Sequence, residues 1–232
     1  FIIIQNTLYI ASQKVSIFEL QSNIIFYIVA PFLQEVSESA FAEMPLLRYI
    51  WAPQLKIIGQ KALFDCFSLF KICAPKLTEI ESNAFENCFS LSQISSLNRV
   101  KEFGSCCFDS CVSLQYLEAS QVKVIDQDLM EYCENLFLIN LENVTQLDLT
   151  QLYQNKLWFV RLPCCEFKID KDVFFSVDSI IDSNQMTIDP FPSAGQFQQY
   201  RPSKRYPFNQ QFLLTQNEIN RPIRGIILKE IK

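Results

Sequence analysis

Nine cysteines and no histidine set the range of chemistry open to this chain. Four of the thiols, Cys66, Cys88, Cys111 and Cys133, recur at intervals of 22 or 23 residues. Thiols can act as nucleophiles, zinc ligands or disulfide partners. Without imidazole no Cys-His or Ser-His-Asp arrangement is possible, nor any zinc site with a histidine ligand. No Cys-x-x-Cys pair occurs. Cys106, Cys107 and Cys111 come nearest to a metal-binding cluster, yet Cys107 and Cys111 fall on positions that a packing pattern already explains. An odd number of cysteines always leaves one unpaired. A ladder of buried, reduced thiols is therefore the expectation, with Cys164-Cys165 unexplained. Acidic residues are scattered over positions expected to face solvent, and no carboxylate pair stands out for acid–base work. The sequence predicts no catalytic residue, no metal and no cofactor.

What positions the thiols is a repeat. Pro31, Pro53 and Pro75 are spaced by 22 residues. Leu33, Leu55, Leu77, Val100, Val122 and Val144 continue the ruler, with one extra residue inserted before Val100. Eight positions after each stand Phe41, Leu63, Phe85, Phe108, Met130 and Leu152. At further steps of three come Met44 and the four cysteines, then Leu47, Leu69, Leu91, Leu114 and Leu136, then Ile50, Ile72, Ile94, Leu117 and Ile139. A shortened copy places Leu157 and Val160, and a further one places Ile169, Phe174 and Ile180. Upstream, Ile25 and Ile28 fit the end of a degenerate first copy.

Within a unit, "LKIIG" (55–59) and "LFKICA" (69–74) read as short strands. Between them, "QKALFDC" (60–66) puts Ala62, Leu63 and Cys66 at helical spacing and predicts about two turns of helix. One unit cannot bury its own apolar face. Stacking places Leu on Leu and Ile on Ile, so the pattern predicts a solenoid with one continuous core.

The skeleton in "LTEIESNAFENCFSLSQI" (77–94), echoed at 33–50 and 100–117, resembles the BspA-like, Treponema-type class of leucine-rich repeats. The resemblance covers roughly residues 20–182, and Ala-Phe-x-x-Cys is its most specific part. It implies an α/β repeat solenoid, a leucine-rich-repeat horseshoe or right-handed β-α superhelix with parallel strands on one face. It also implies a surface or secreted protein that binds other proteins, without catalytic residues. The chain departs from the pattern in its sparse glycines, Gly59 and Gly104, and in its last fifty residues. The expected organisation is a degenerate N-terminal repeat or cap over 1–30, about seven repeats over 31–182, and an irregular C-terminal cap or tail over 183–232.

Strand alternation then predicts which side chains a partner would meet. With Leu47, Ile50 and Ala52 inward, Arg48, Tyr49 and Trp51 face outward. The same register exposes Phe70, Lys71 and Cys73, then Ser92, Gln93 and Ser95, then Gln115, Tyr116 and Glu118. Phe137, Leu138 and Asn140 follow, and then Trp158, Phe159 and Arg161. Neighbouring strands about 4.8 Å apart would join these into one surface, rich in the Tyr, Trp, Phe and Arg of binding hot spots. The alternative is that the C-terminal segment covers some of them.

Net charge is −5, with residues 183–232 at +4 and the remainder at −9, so affinity for nucleic acid is not expected. "YRPSKRY" (200–206) carries three basic residues and reads as a solvated tail, while Phe191, Phe197 or Phe208 could fold back as a cap. The chain opens on Phe rather than Met, which predicts a fragment or processed product. Its longest apolar run, "IIFYIVAPF" (24–32), is too short to span a bilayer. The expected partner is a protein, neither a nucleic acid nor a small-molecule substrate. Localisation stays open between cell surface or secreted, from the family, and cytoplasmic, from the free thiols. Asn143-Val144-Thr145 is the one glycosylation sequon.

Overall fold

The structure, a computed structural model, describes residues 1–16, 24–126, 128–136 and 138–145, together with the backbone of 159–161 and 180–181. Fourteen short strands follow one another: β1 (Ile2–Ile4), β2 (Thr7–Tyr9), β3 (Lys14–Val15), β4 (Tyr27–Val29), β5 (Glu35–Val36), β6 (Tyr49–Trp51), β7 (Ile57–Ile58), β8 (Lys71–Cys73), β9 (Glu79–Ile80), β10 (Gln93–Ile94), β11 (Tyr116–Glu118), β12 (Leu138–Asn140), β13 (Phe159–Arg161) and β14 (Ile180–Ile181). They form three sheets, ordered β1-β2-β4-β6-β8-β10, β3-β5-β7-β9 and β11-β12-β13-β14. Every pairing is parallel except the β1–β2 hairpin, which turns through Gln5 and Asn6, both at positive φ. The described residues form a parallel-strand solenoid of about six turns.

The leucine ruler is the core. Leu47, Leu69, Leu91, Leu114 and Leu136 are all buried, as are Ile50, Ile72, Ile94, Leu117 and Ile139. The register pairs Ile28 with Ile50, Ile50 with Ile72 and Ile72 with Ile94, so like sits on like from coil to coil. Phe41, Leu63, Phe85 and Phe108 fill the opposite wall, fully buried. Burying each such side chain stabilises the stack by roughly 1.5–3 kcal/mol, and none of that gain is available to an isolated unit.

The helix expected over 60–66 is absent, and the described residues hold no α-helix; the strand content is parallel β with turns between. The backbone hydrogen bonds give the reason. Ala62 and Phe64 N–H groups donate locally to Gly59 and Lys61 carbonyls, at 3.1 Å each. Lys61, Leu63 and Asp65 donate instead to Ser82, Ala84 and Glu86 of the next coil, at 3.0 Å each. Alternate amides thus tie the coils together, which a helix would forbid by using every amide within itself. The geometry requires positive φ at Lys61 and Asp65, and at the equivalent Ser39, Glu43, Asn83, Asn87, Cys106, Ser110 and Tyr132.

Candidate functional site

Outward positions of the strands line up in two columns. Tyr27, Tyr49, Lys71 and Gln93 are successive register partners, and Val29, Trp51 and Cys73 run alongside. On the far sheet Tyr116 pairs with Leu138, and Glu118 with Asn140.

Exposure divides the expected residues. Arg48 is exposed, its guanidinium lying 5.0 Å from the centre of the Phe26 ring. Phe70 is 48% exposed and Tyr116 41%. Trp51, Lys71, Gln93 and Glu118 are half-buried. Four residues expected to face outward are instead covered, Tyr49 at 7% exposed and Asn140 at 2% among them. Ser92 and Leu138 are the other two. Strand alternation decides which way a side chain leaves the sheet, but not how far its ladder neighbours close over it. At Tyr49 the neighbours are Tyr27 and Lys71, a strand spacing away on either side, and the phenol reaches the Cys73 thiol. Phe137 and Trp158 lie outside the described residues, as do the side chains of Phe159 and Arg161.

The structure also brings forward residues that strand alternation does not single out. Phe67 and Phe89, both exposed, stack with ring centroids 5.2 Å apart and planes 8° from parallel. With exposed Leu46 and Phe70 they make an apolar rim at the N-terminal ends of the strands. Their signal in the sequence was the 22-residue spacing of Phe67 and Phe89, immediately after Cys66 and Cys88.

Titration behaviour separates the thiols from this face. Burial pushes Cys66 and Cys133 up to about 12, and Cys88, Cys107 and Cys111 well above the usual thiol value. Each repeat thiol donates to a carbonyl of the preceding coil: Cys66 to Phe41, Cys88 to Leu63, Cys111 to Phe85 and Cys133 to Phe108, at 3.1–3.3 Å. Protonated and enclosed, they are poor nucleophiles. Cys73 is half-buried and also raised, by burial, against the opposing pull of Lys71 and the Tyr49 hydrogen bond. Burial raises Tyr116, helped by the Glu118 carboxylate. Among the described residues, no three Cys, Asp or Glu side chains converge on a point where a metal could sit. No helix among them is long and apolar enough to cross a membrane. The arrangement on offer is a surface of aromatic rings, a guanidinium and amide and carboxylate groups.

Comparison with known proteins agrees with this architecture. The model of the BspA type leucine rich repeat region matches residues 2–70 and 56–181, in six copies. No curated protein matches the chain in sequence. Among solved structures, a leucine rich cell surface protein from Faecalibacterium prausnitzii superposes with a TM-score of 0.53 at 20% identity, over 59% of this chain and 43% of that one. A leucine-rich repeat protein from Bacteroides ovatus gives 0.48 at 18% identity, over 66% and 50%. The T. pallidum Leucine Rich Repeat protein gives 0.42 at 24% identity, over 65% and 81%. The likeness to the F. prausnitzii protein is one of fold, and the chain spans less than half of that protein's length.

Proposed function

Because the chain belongs to the BspA-type leucine-rich-repeat family, we propose that it is a non-catalytic interaction module binding a protein ligand on its strand-lined face and the adjoining rim. One observation carries this reading: Arg48 and Phe70 stand exposed in successive coils and Tyr116 two coils further on, beside the stacked Phe67 and Phe89. Exposed aromatic and Arg side chains on a rigid scaffold bury much apolar area on contact while losing little conformational freedom. Trp51, Lys71, Gln93 and Glu118 would supply the polar surround. In this reading the N-terminal residues serve as one end of the repeat array, with the β1–β2 hairpin covering the first coil's edge.

The working site of such a module is a cell surface, as the F. prausnitzii protein's description suggests for that protein. A cytoplasmic scaffold is the second reading, favoured by seven free cysteines among the described residues. Binding to a panel of purified extracellular-matrix proteins, compared between the native chain and an R48S/F70S/Y116S variant, tests the first. Binding should be lost while the circular dichroism spectrum is kept; capture unchanged by the triple substitution would refute it. Thiol titration of native-source protein unfolded without reductant separates the compartments, since a full count of nine free thiols favours the cytoplasm.

A further inference from the structure

Outward-face strands pair in register at each described step from β2 to β14 except one: the six-stranded sheet stops at β10 and a new sheet begins at β11. The cause is the inserted residue. Ile50 and Ala52, Ile72 and Ala74, and Leu117 and Ala119 are each two positions apart, whereas Ile94 and the corresponding Leu97 are three apart. An extra residue bulges the strand end and breaks the ladder. The insertion is already felt at the preceding, paired β8–β10 step: Ala30 and Ala52 N–H groups donate to the Trp51 and Cys73 carbonyls, but Ala74 N–H takes the Ser95 hydroxyl instead, at 2.7 Å.

The other walls stay closed at this same step. Asn83, Phe85 and Asn87 N–H groups donate to Ser105, Cys107 and Asp109 at 2.9–3.0 Å, and Ile80 bridges to Phe103. The two coils are therefore joined along two sides, and again by the Ser113 N–H to the Phe89 carbonyl at 3.0 Å just ahead of the third, where β10 and β11 do not pair. Over this unpaired step the outer face holds a cleft of about 520 Å³ that reaches from β8 across β10 to β11, lined by Lys71, Cys73, Gln93, Ser95, Tyr116 and Glu118, with Ile94 and Leu117 between the columns.

We propose that this cleft takes an extended peptide segment of a partner protein as an inserted strand; the idea rests on the strand face being a protein-binding surface. Both flanks present backbone donors and acceptors that find ladder partners at the other steps. The ligand matching two such flanks is one with alternating N–H and C=O groups on both sides, which an extended polypeptide has and a sugar or acyl chain lacks. Register fixes the side-chain chemistry. The central residue falls between Ile94 and Leu117 and is aliphatic. One neighbour falls between Gln93 and Tyr116 and is aromatic or an amide, and the other lies against the Glu118 carboxylate and is Lys or Arg.

Hydrogen–deuterium exchange on the free full chain comes first. Tyr116–Glu118 amides should exchange at least about tenfold faster than those of Leu138–Asn140. Equal protection overturns the proposal, whether the strands have closed on each other or the chain's own C-terminal segment fills the gap. Protection that grows with protein concentration also overturns it, in favour of a second copy. Next, a library of synthetic eight-residue peptides with an X-Val-Lys core, X being aromatic or an amide, is titrated onto the chain. Binding peptides should protect Tyr116–Glu118 and weaken on the order of tenfold when a core amide is N-methylated. Deleting Ser96, which restores the 22-residue step, should abolish binding, and the surface change Glu118→Lys should reverse the preference for Lys at the third core position. No binding, or binding indifferent to N-methylation and to both variants, overturns the cleft. That result leaves the strand-face reading standing, since its own failure would appear as unchanged capture by the R48S/F70S/Y116S variant.

Discussion

Phe85 and Phe108 stack face to face inside the solenoid, ring centroids 5.5 Å apart and planes 7° from parallel, across the same coil-to-coil step at which β10 and β11 fail to pair. Phe103 closes on Phe108 edge-on, also at 5.5 Å. The rings thus hold together two coils that lack their sheet. Phe108→Ala should lower unfolding free energy by about 3–5 kcal/mol in urea denaturation, through lost burial and the cavity left behind. A loss under about 1 kcal/mol would mean that the junction does not depend on the stack.

The exposed pair Phe67 and Phe89 has the same stacked geometry and the opposite expectation. Substituting Ser at both should change stability by about 1 kcal/mol, less than at a core ring, because Phe67 and Phe89 are 39% and 42% exposed. Protein capture should fall if the rim belongs to the binding face. A large stability loss with unchanged capture would reassign the pair to folding.

The repeated thiols predict a dependence on alkaline pH. Cys66 and Cys133 titrate at about 12 in the folded chain, above the ordinary value of 9.0 that they regain on unfolding. The folded state therefore holds its protons more tightly. The stability this contributes is complete below pH 9.0 and is lost as pH rises toward about 12. Unfolding midpoints should fall steeply across that window, and a C66A/C133A variant should show a shallower fall. At neutral pH, an aromatic disulfide reagent should modify the half-buried Cys73 and Cys106 well before the five buried thiols. Uniform reactivity would contradict the enclosed ladder.

From Leu33 to Val144 the apolar columns were legible, because a spacing of 22 residues constrains every copy at once and each leucine has only the core to go to; Leu152, Leu157, Ile169 and Phe174, and the side chains of Val160 and Ile180, lie outside the described residues. The turn wall was not. Ala62, Leu63 and Cys66 have the spacing of a helical face, and only Asn83, Asn87 and Asp65 among the turn residues advertise a left-handed backbone; Lys61 and Glu43 adopt it without any such signal. Tyr49 and Asn140 eluded the reading for another reason. Alternation gives a side chain its direction, while its cover comes from neighbours one coil away, which no local pattern records. The insertion before Val100 was visible as an interruption of the ruler, but its consequence, an open step in one sheet only, depends on the other walls staying joined.

Glu43 turns that hidden strain into a measurement. It is exposed and sits at φ 56, in the left-handed region where a side chain other than Gly or Asn is disfavoured. Glu43→Gly should stabilise the chain by about 0.5–1 kcal/mol despite removing a side chain, since relief of the turn outweighs the extra freedom of unfolded glycine. A destabilised variant would show that the Glu43 side chain contributes contacts worth more than the strain.

Gly104 provides the converse case. Its N–H donates to Ile80 at 2.8 Å, drawing its backbone onto the preceding coil at the hinge side of the open step. A Cβ there would press into the backbone of Glu81 and Ser82, which belongs to the joined wall and has little room to withdraw. Gly59 makes a looser approach, with a Cβ meeting Ser37 and Glu38 backbone atoms at 2.9 Å. Gly104→Ala should therefore destabilise by about 1–3 kcal/mol and Gly59→Ala by less, both by denaturant midpoint. Because the displaced backbone lies on the wall that holds the two coils together, Gly104→Ala should also speed amide exchange at Phe85 and Asn87, whose hydrogen bonds cross the same step. Equal midpoints for the two variants, or unchanged exchange at Phe85, would show that the coils can part by about an ångström without loss, and that the wall is less rigid than its hydrogen bonds imply.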